Sequence, residues 1–189
     1  MRDPTTNKGR GNMRKQFALS MCLLAAIVSA VTITSGPTRA ATANIVALGA
    51  SNVAGKGVGT SYAFPARLEA LLRARGYDVN MSNAGISGDT TAGMLGRLDS
   101  AVPNGTQIVL LAIYRLNDGR RGISDAEHAS NTQTIVSRLR ARGIKIIPVN
   151  ISGLPRQADG IHLTAASHDV VAARLLPQVI RAIGAPRRG

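Results

Sequence analysis

The chain has 189 residues, 44% of them apolar and 17% charged, with one Cys, no Trp and a formal net charge of +13. That length and balance suit one globular α/β domain and leave little room for two. Aromatic residues amount to only 3%, too few for the stacking platforms that hold single-stranded nucleic acid or sugars.

Residues 1–40 read as an export signal rather than as part of the fold. Arg10, Arg14 and Lys15 precede an apolar run from Phe17 to Thr34, and Thr38-Arg39-Ala40-Ala41 forms a small-residue exit. This is the layout of a secretory signal peptide. Cleavage is expected after Ala40, with Ala43 as a second site and Met13 as an alternative start. An uncleaved anchor is the competing reading, because the run is near the lower limit of a membrane-spanning helix. Cys22 lies inside the run after Met21, which does not fit a lipidation signal. The expected product is periplasmic or secreted: a domain over residues 41–184 and a short polar tail at 185–189. It has no Cys, so disulfides and thiolate chemistry are excluded. It keeps 17 of the 23 basic and 9 of the 10 acidic residues, a net charge of +8. The basic clusters Arg120–Arg121, Arg138–Arg140–Arg142 and Arg187–Arg188 invite a nucleic-acid reading. The middle cluster, however, sits where cations favour a helix C-terminus, and no DNA-binding motif is present. No nucleic-acid partner is expected, and contact with a membrane only through the signal segment if it is retained.

In chain order, Ile45 to Leu48 is an apolar run without alternation, as expected of a strand covered on both faces. Gly49 ends it, Ser51 follows, and Gly55, Gly57 and Gly59 punctuate the exit. Tyr62 to Arg75 has apolar residues at helical spacing and stops at Gly76. Tyr77 to Ser82 reads as a second strand running into Asn83-Ala84-Gly85-Ile86-Ser87-Gly88-Asp89-Thr90. A short helix is expected over Thr91–Leu98 and a third strand over Gln107–Ile113, which leaves through Arg115-Leu116-Asn117-Asp118-Gly119. Ser124 and Glu127 make a capping box for a helix to about Arg142. A fourth strand, Ile144–Asn150, leads by a short loop to Asp159-Gly160-Ile161-His162, and Thr164 caps a last helix through Ile183. Strand and helix alternating in this way imply a doubly wound, three-layer α/β fold with a parallel sheet of four to five strands. A flavodoxin-like order, 2-1-3-4, would put Ser51 and Asn117 at adjacent strand ends, beside the crevice where the winding reverses.

Acyl transfer needs a nucleophile, a base, a group that orients the base, and donors for the developing oxyanion. Of the three histidines, His128 lies mid-helix in a polar stretch and is expected to be solvated, and His168 is expected to be a structural hydrogen-bonding partner. His162 differs. Asp159, three residues upstream, can reach one imidazole nitrogen and leave the other for the crevice, the orienting role of the acid in a serine triad. Phosphate binding is a weaker reading: Ala50 and Gly57 break a P-loop at both ends, and the spacing of Gly55, Gly57 and Gly59 does not match a dinucleotide fingerprint.

These blocks resemble the GDSL/SGNH hydrolases over nearly all of residues 41–189, and in the same order. Gly49-Ala50-Ser51-Asn52 is similar to the nucleophile block, Asn83-Ala84-Gly85 and Leu116-Asn117-Asp118 to the two oxyanion blocks, and Asp159-Gly160-Ile161-His162 to the block carrying acid and base. The resemblance implies a serine esterase with no cofactor or metal, acting on a small acyl ester, thioester or acylated glycan or lipid. Ser51 would be nucleophile, Asp159 orienter and His162 base, with the Ser51 and Gly85 amides and the Asn117 side chain as oxyanion donors. The chain departs from the pattern in three places. Ala50 stands where the family has Asp, Arg115 stands where it has Gly, and only eight residues separate the fourth strand from Asp159. Arg115 is a possible substrate contact. The alternative is a non-catalytic binder of envelope glycan or lipid on the same fold.

Overall fold

The computed structural model describes residues 42–184; the expected signal segment and the tail lie outside them. Four strands, β1 (Ala43–Gly49), β2 (Val79–Gly85), β3 (Ile108–Ala112) and β4 (Lys145–Pro148), form one parallel sheet in the order β2-β1-β3-β4. This is the flavodoxin-like order, with the reversal between β1 and β3.

Alternate residues of β1 feed two separate cores, which explains its unbroken apolar run. Ile45 and Ala47 pack with Phe64, Leu68 and Leu72 of α2 (Phe64–Arg73) and with Val171, Leu175 and Val179 of α7 (Ala165–Ile183). Val46 and Leu48 pack on the other face against Met94 of α3 (Thr91–Gly96), Leu98 of α4 (Leu98–Ala101), and Ile135 and Leu139 of α6 (Asp125–Ala141). Burying both faces is what parallel sheets require.

The helix caps form as expected at two places: Ser124 Oγ accepts from Glu127 N at 3.1 Å, and Thr164 Oγ1 from Ser167 N at 3.2 Å. Two strand exits differ from expectation. Ser51–Ala54 is a single helical turn, α1, and Arg115–Arg120 is a short helix, α5, where loops were expected. Short turns of this kind carry no apolar periodicity to betray them; neighbouring side chains hold them instead.

Candidate active site

The C-terminal edge of the sheet carries the four polar blocks. Ser51 is the first residue of α1, a position whose backbone amide has no partner within its own helix. It is mostly buried, at 9% exposure. Ala50 offers the turn no polar group. Its neighbour Asn52 anchors the turn instead, since Asn52 Oδ1 accepts from Leu163 N at 2.9 Å across 111 residues of sequence.

Asp159 organises its own loop. Its Oδ1 accepts from Ile161 N at 2.8 Å and His162 N at 2.9 Å, and its Oδ2 meets His162 Nδ1 at 2.5 Å. The His162 side-chain bond, then the two amides, hold this carboxyl well below the usual carboxylate range. An ionised carboxylate only accepts. Nδ1 therefore donates the hydrogen of this bond, and Nε2 takes no part in it. The loop is closed by a bridge between Arg156 and Leu163 and by Gln157 N donating to His162 O at 2.7 Å. The Gln157 side chain ties it to the glycine-rich loop after Ser51: Nε2 donates to Lys56 O at 2.9 Å and to Leu163 O at 2.8 Å. Gly57 makes this possible. Its φ is +84°, and any Cβ there would collide with the Gln157 carboxamide. Gly57 thus serves to dock one loop on another.

Asn117, on α5, donates from Nδ2 to Asp89 O at 2.8 Å, which uses one of its two amide hydrogens. Beneath it, Asp118 is fully buried and accepts from Thr91 N at 2.8 Å, Thr91 Oγ1 at 2.5 Å and His128 Nδ1 at 2.8 Å. Burial pushes its carboxyl up, but the bonds from Thr91 and His128 together outweigh this and lower it. His128 is therefore not a solvated helix residue, as expected from its polar stretch; it is mostly buried and paired with Asp118. His168 holds the structural role expected of it, accepting from Phe64 N at 3.2 Å in a fully buried position.

Two expected site residues are placed elsewhere. Ile86 N donates to Gly49 O across the sheet, so strand alternation turns the Gly85 amide to the outer side of β2, where it donates to Asn83 Oδ1 at 3.0 Å. Gly85 is glycine for another reason: a Cβ there would strike the Ala54 amide of α1. The amide expected as an oxyanion donor is thus occupied by Asn83. Arg115 also faces away, with its guanidinium on Asp125 and, at 2.6 Å, on Ile123 O. A cavity of about 410 Å³ opens beside Ser51, Asn117, Gly160 and Ile161, and the arginine on its wall is Arg156. Sequence reading missed Arg156 because it lies in the short loop before Asp159, where no periodicity marks it. It also missed Arg97, which bonds Asp89 Oδ2 at 2.7–2.8 Å, Ala84 O at 2.9 Å and Gly49 O at 3.2 Å, and so joins the ends of β1 and β2.

The sheet order and the polar blocks at its C-terminal edge define a doubly wound α/β protein of the SGNH-hydrolase fold. Its particular kinship follows from comparison: the chain belongs to the GDSL-like Lipase/Acylhydrolase family, whose profile matches residues 47–186. Esterase TesA of Pseudomonas aeruginosa is 34% identical over 113 residues, 60% of this chain and 56% of that relative. The arylesterase of Vibrio mimicus is 31% identical over 111 residues, 59% of this chain and 56% of the relative. The chain thus spans a little over half the length of these curated relatives. Among solved structures, a crystal structure of TesA superposes with a TM-score of 0.64 at 25% identity, covering 74% of this chain and 99% of that one. The SGNH-hydrolase family esterase AlinE4 gives 0.52 at 29% identity, covering 75% of this chain and 72% of its own.

Proposed function

We propose that the protein is an exported serine esterase that cleaves carboxylic esters or thioesters through an acyl-enzyme. The carrying observation is the pair of cross-loop ties, Leu163 N to Asn52 Oδ1 and Gln157 to Lys56 O, which clamp the loop bearing Asp159 and His162 onto the turn bearing Ser51. In this reading His162 Nε2 takes the Ser51 proton as Oγ attacks the acyl carbon. The carbonyl oxygen gains charge, and the alcohol or thiol leaves with the proton returned by His162. Water then repeats the attack on the acyl-serine. The oxyanion is met by the Ser51 amide and by the second amide hydrogen of Asn117. From the block of Gly85, the donor is the Gly88 amide, which makes no hydrogen bond among the described residues and adjoins Asp89, the residue Asn117 holds. Export rests on residues 1–40, and the mass of the protein recovered from culture medium or periplasm tests it.

The decisive experiment is labelling with a fluorophosphonate probe. The wild-type chain should label on Ser51, and Ser51→Ala should not label and should lose ester hydrolysis to near background. Folded wild-type protein that takes no label would exclude catalysis and leave a binder on the same fold.

A further inference from the structure

Arg156 stands on the cavity wall with Tyr114, Ile151 and Ile161. Nη1 donates to Ile161 O at 3.1 Å and Nη2 to Ile151 O at 3.0 Å. A guanidinium has five N–H groups, so most of its donor capacity remains. Both bonds go to the segment that carries Asp159 and His162, and they fix the charge relative to the reacting groups. Arg97 is neutralised by Asp89 and Arg115 by Asp125. Arg156 has no carboxylate partner among the described residues. An unpaired cation against an apolar wall is costly, and an anion arriving there gains a charge-assisted, geometrically matched bond.

We propose that the cavity selects esters bearing an anionic group, of which a carboxylate is the simplest, on the portion lodged against Arg156. This rests on the esterase reading of Ser51, and adds to it the chemical class of the substrate. The anion can belong to the acyl or to the alcohol side, and the two sources are separable.

The test uses matched pairs. For the acyl side, p-nitrophenyl hydrogen glutarate is compared with p-nitrophenyl valerate; for the alcohol side, 4-acetoxybenzoate with p-tolyl acetate. The wild-type chain should favour the anionic member of one pair by about tenfold or more in kcat/KM. That ratio should collapse in Arg156→Gln and persist in part in Arg156→Lys, which keeps the charge but not the fork. A brace without a role in recognition would lower both members of a pair alike.

Binding is measured in parallel by calorimetry with the inert amides, glutaric monoanilide against pentananilide and 4-acetamidobenzoate against acetanilide. If the amides show an Arg156-dependent preference while no ester is turned over, the charge site stands and the esterase reading falls. If neither amide pair discriminates, or the preference survives in Arg156→Gln, the inference is overturned. Should the Gln variant fail to fold, the wild-type preference must shrink with rising ionic strength; a preference indifferent to salt overturns it equally.

Discussion

His168 shows how far one buried side chain constrains behaviour in solution. Its Nδ1 accepts the Phe64 amide, and its ring stacks on the Phe64 ring with centroids 6.2 Å apart. Protonation at Nδ1 would remove that acceptor. Burial lowers the imidazole's pKa, opposed only by the neighbouring Asp169 carboxylate. The sign follows directly. Below the ordinary histidine value of about 6.5, the unfolded chain binds a proton that the folded chain refuses, so stability falls as pH drops. Melting temperature followed from pH 7.5 to 5 should therefore decline. His168→Gln, which cannot titrate, should flatten the decline even if it lowers stability throughout. A slope unchanged in that variant would assign the effect to other groups.

Among the elements, α5 carries the Asn117 of the proposed mechanism, and it has only six residues. So short a helix is not held by its own hydrogen bonds. Asp118 holds it, through Thr91 at the head of α3 and His128 on α6, while Asn131 of α6 donates to Thr91 Oγ1 at 3.3 Å. Asn117 precedes Asp118, so the oxyanion donor proposed above is set by the buried network behind it. Asn117→Ala should cost on the order of 10²–10³ in kcat. Asp118→Asn should cost roughly 1–3 kcal/mol of stability, because one buried partner loses its acceptor, and should lower kcat by about ten- to a hundredfold through displacement of Asn117. If Asp118 works through Asn117, the kcat loss from Asp118→Asn should all but vanish in an Asn117→Ala background. Additive losses would mean that Asp118 acts on the site by another route.

At the scale of the molecule, the sheet order and the polar strand exits were legible because apolar runs, glycine stops and chain order are local signals. The cross-loop bonds were not, because each joins residues about a hundred apart: Asn52 to Leu163, Lys56 to Gln157. Sequence cannot say to which side a strand amide points, so the bond from Gly85 to Asn83 was hidden in it. Arg115 looked like a substrate contact because nothing in sequence pairs it with Asp125. Nor does sequence show why a glycine stands at 57, where the space is taken by the Gln157 carboxamide. That contact can be tested as a coupling. Gln157→Ala should cost about 1 kcal/mol for its lost bonds and, in the proposed mechanism, loosen the clamp between base and nucleophile, lowering kcat more than it raises KM. Gly57→Ala should cost about 1–2 kcal/mol for a side chain in the left-handed region, and should also displace Gln157. Since the second effect of Gly57→Ala is the loss of what Gln157→Ala removes, the double variant should be less destabilised than the two single losses together, by at least about 0.5 kcal/mol in denaturant unfolding. Strict additivity would mean that the glycine loop and the histidine loop are anchored independently, and that the docking of the His162 loop on the Ser51 turn depends on Asn52 alone.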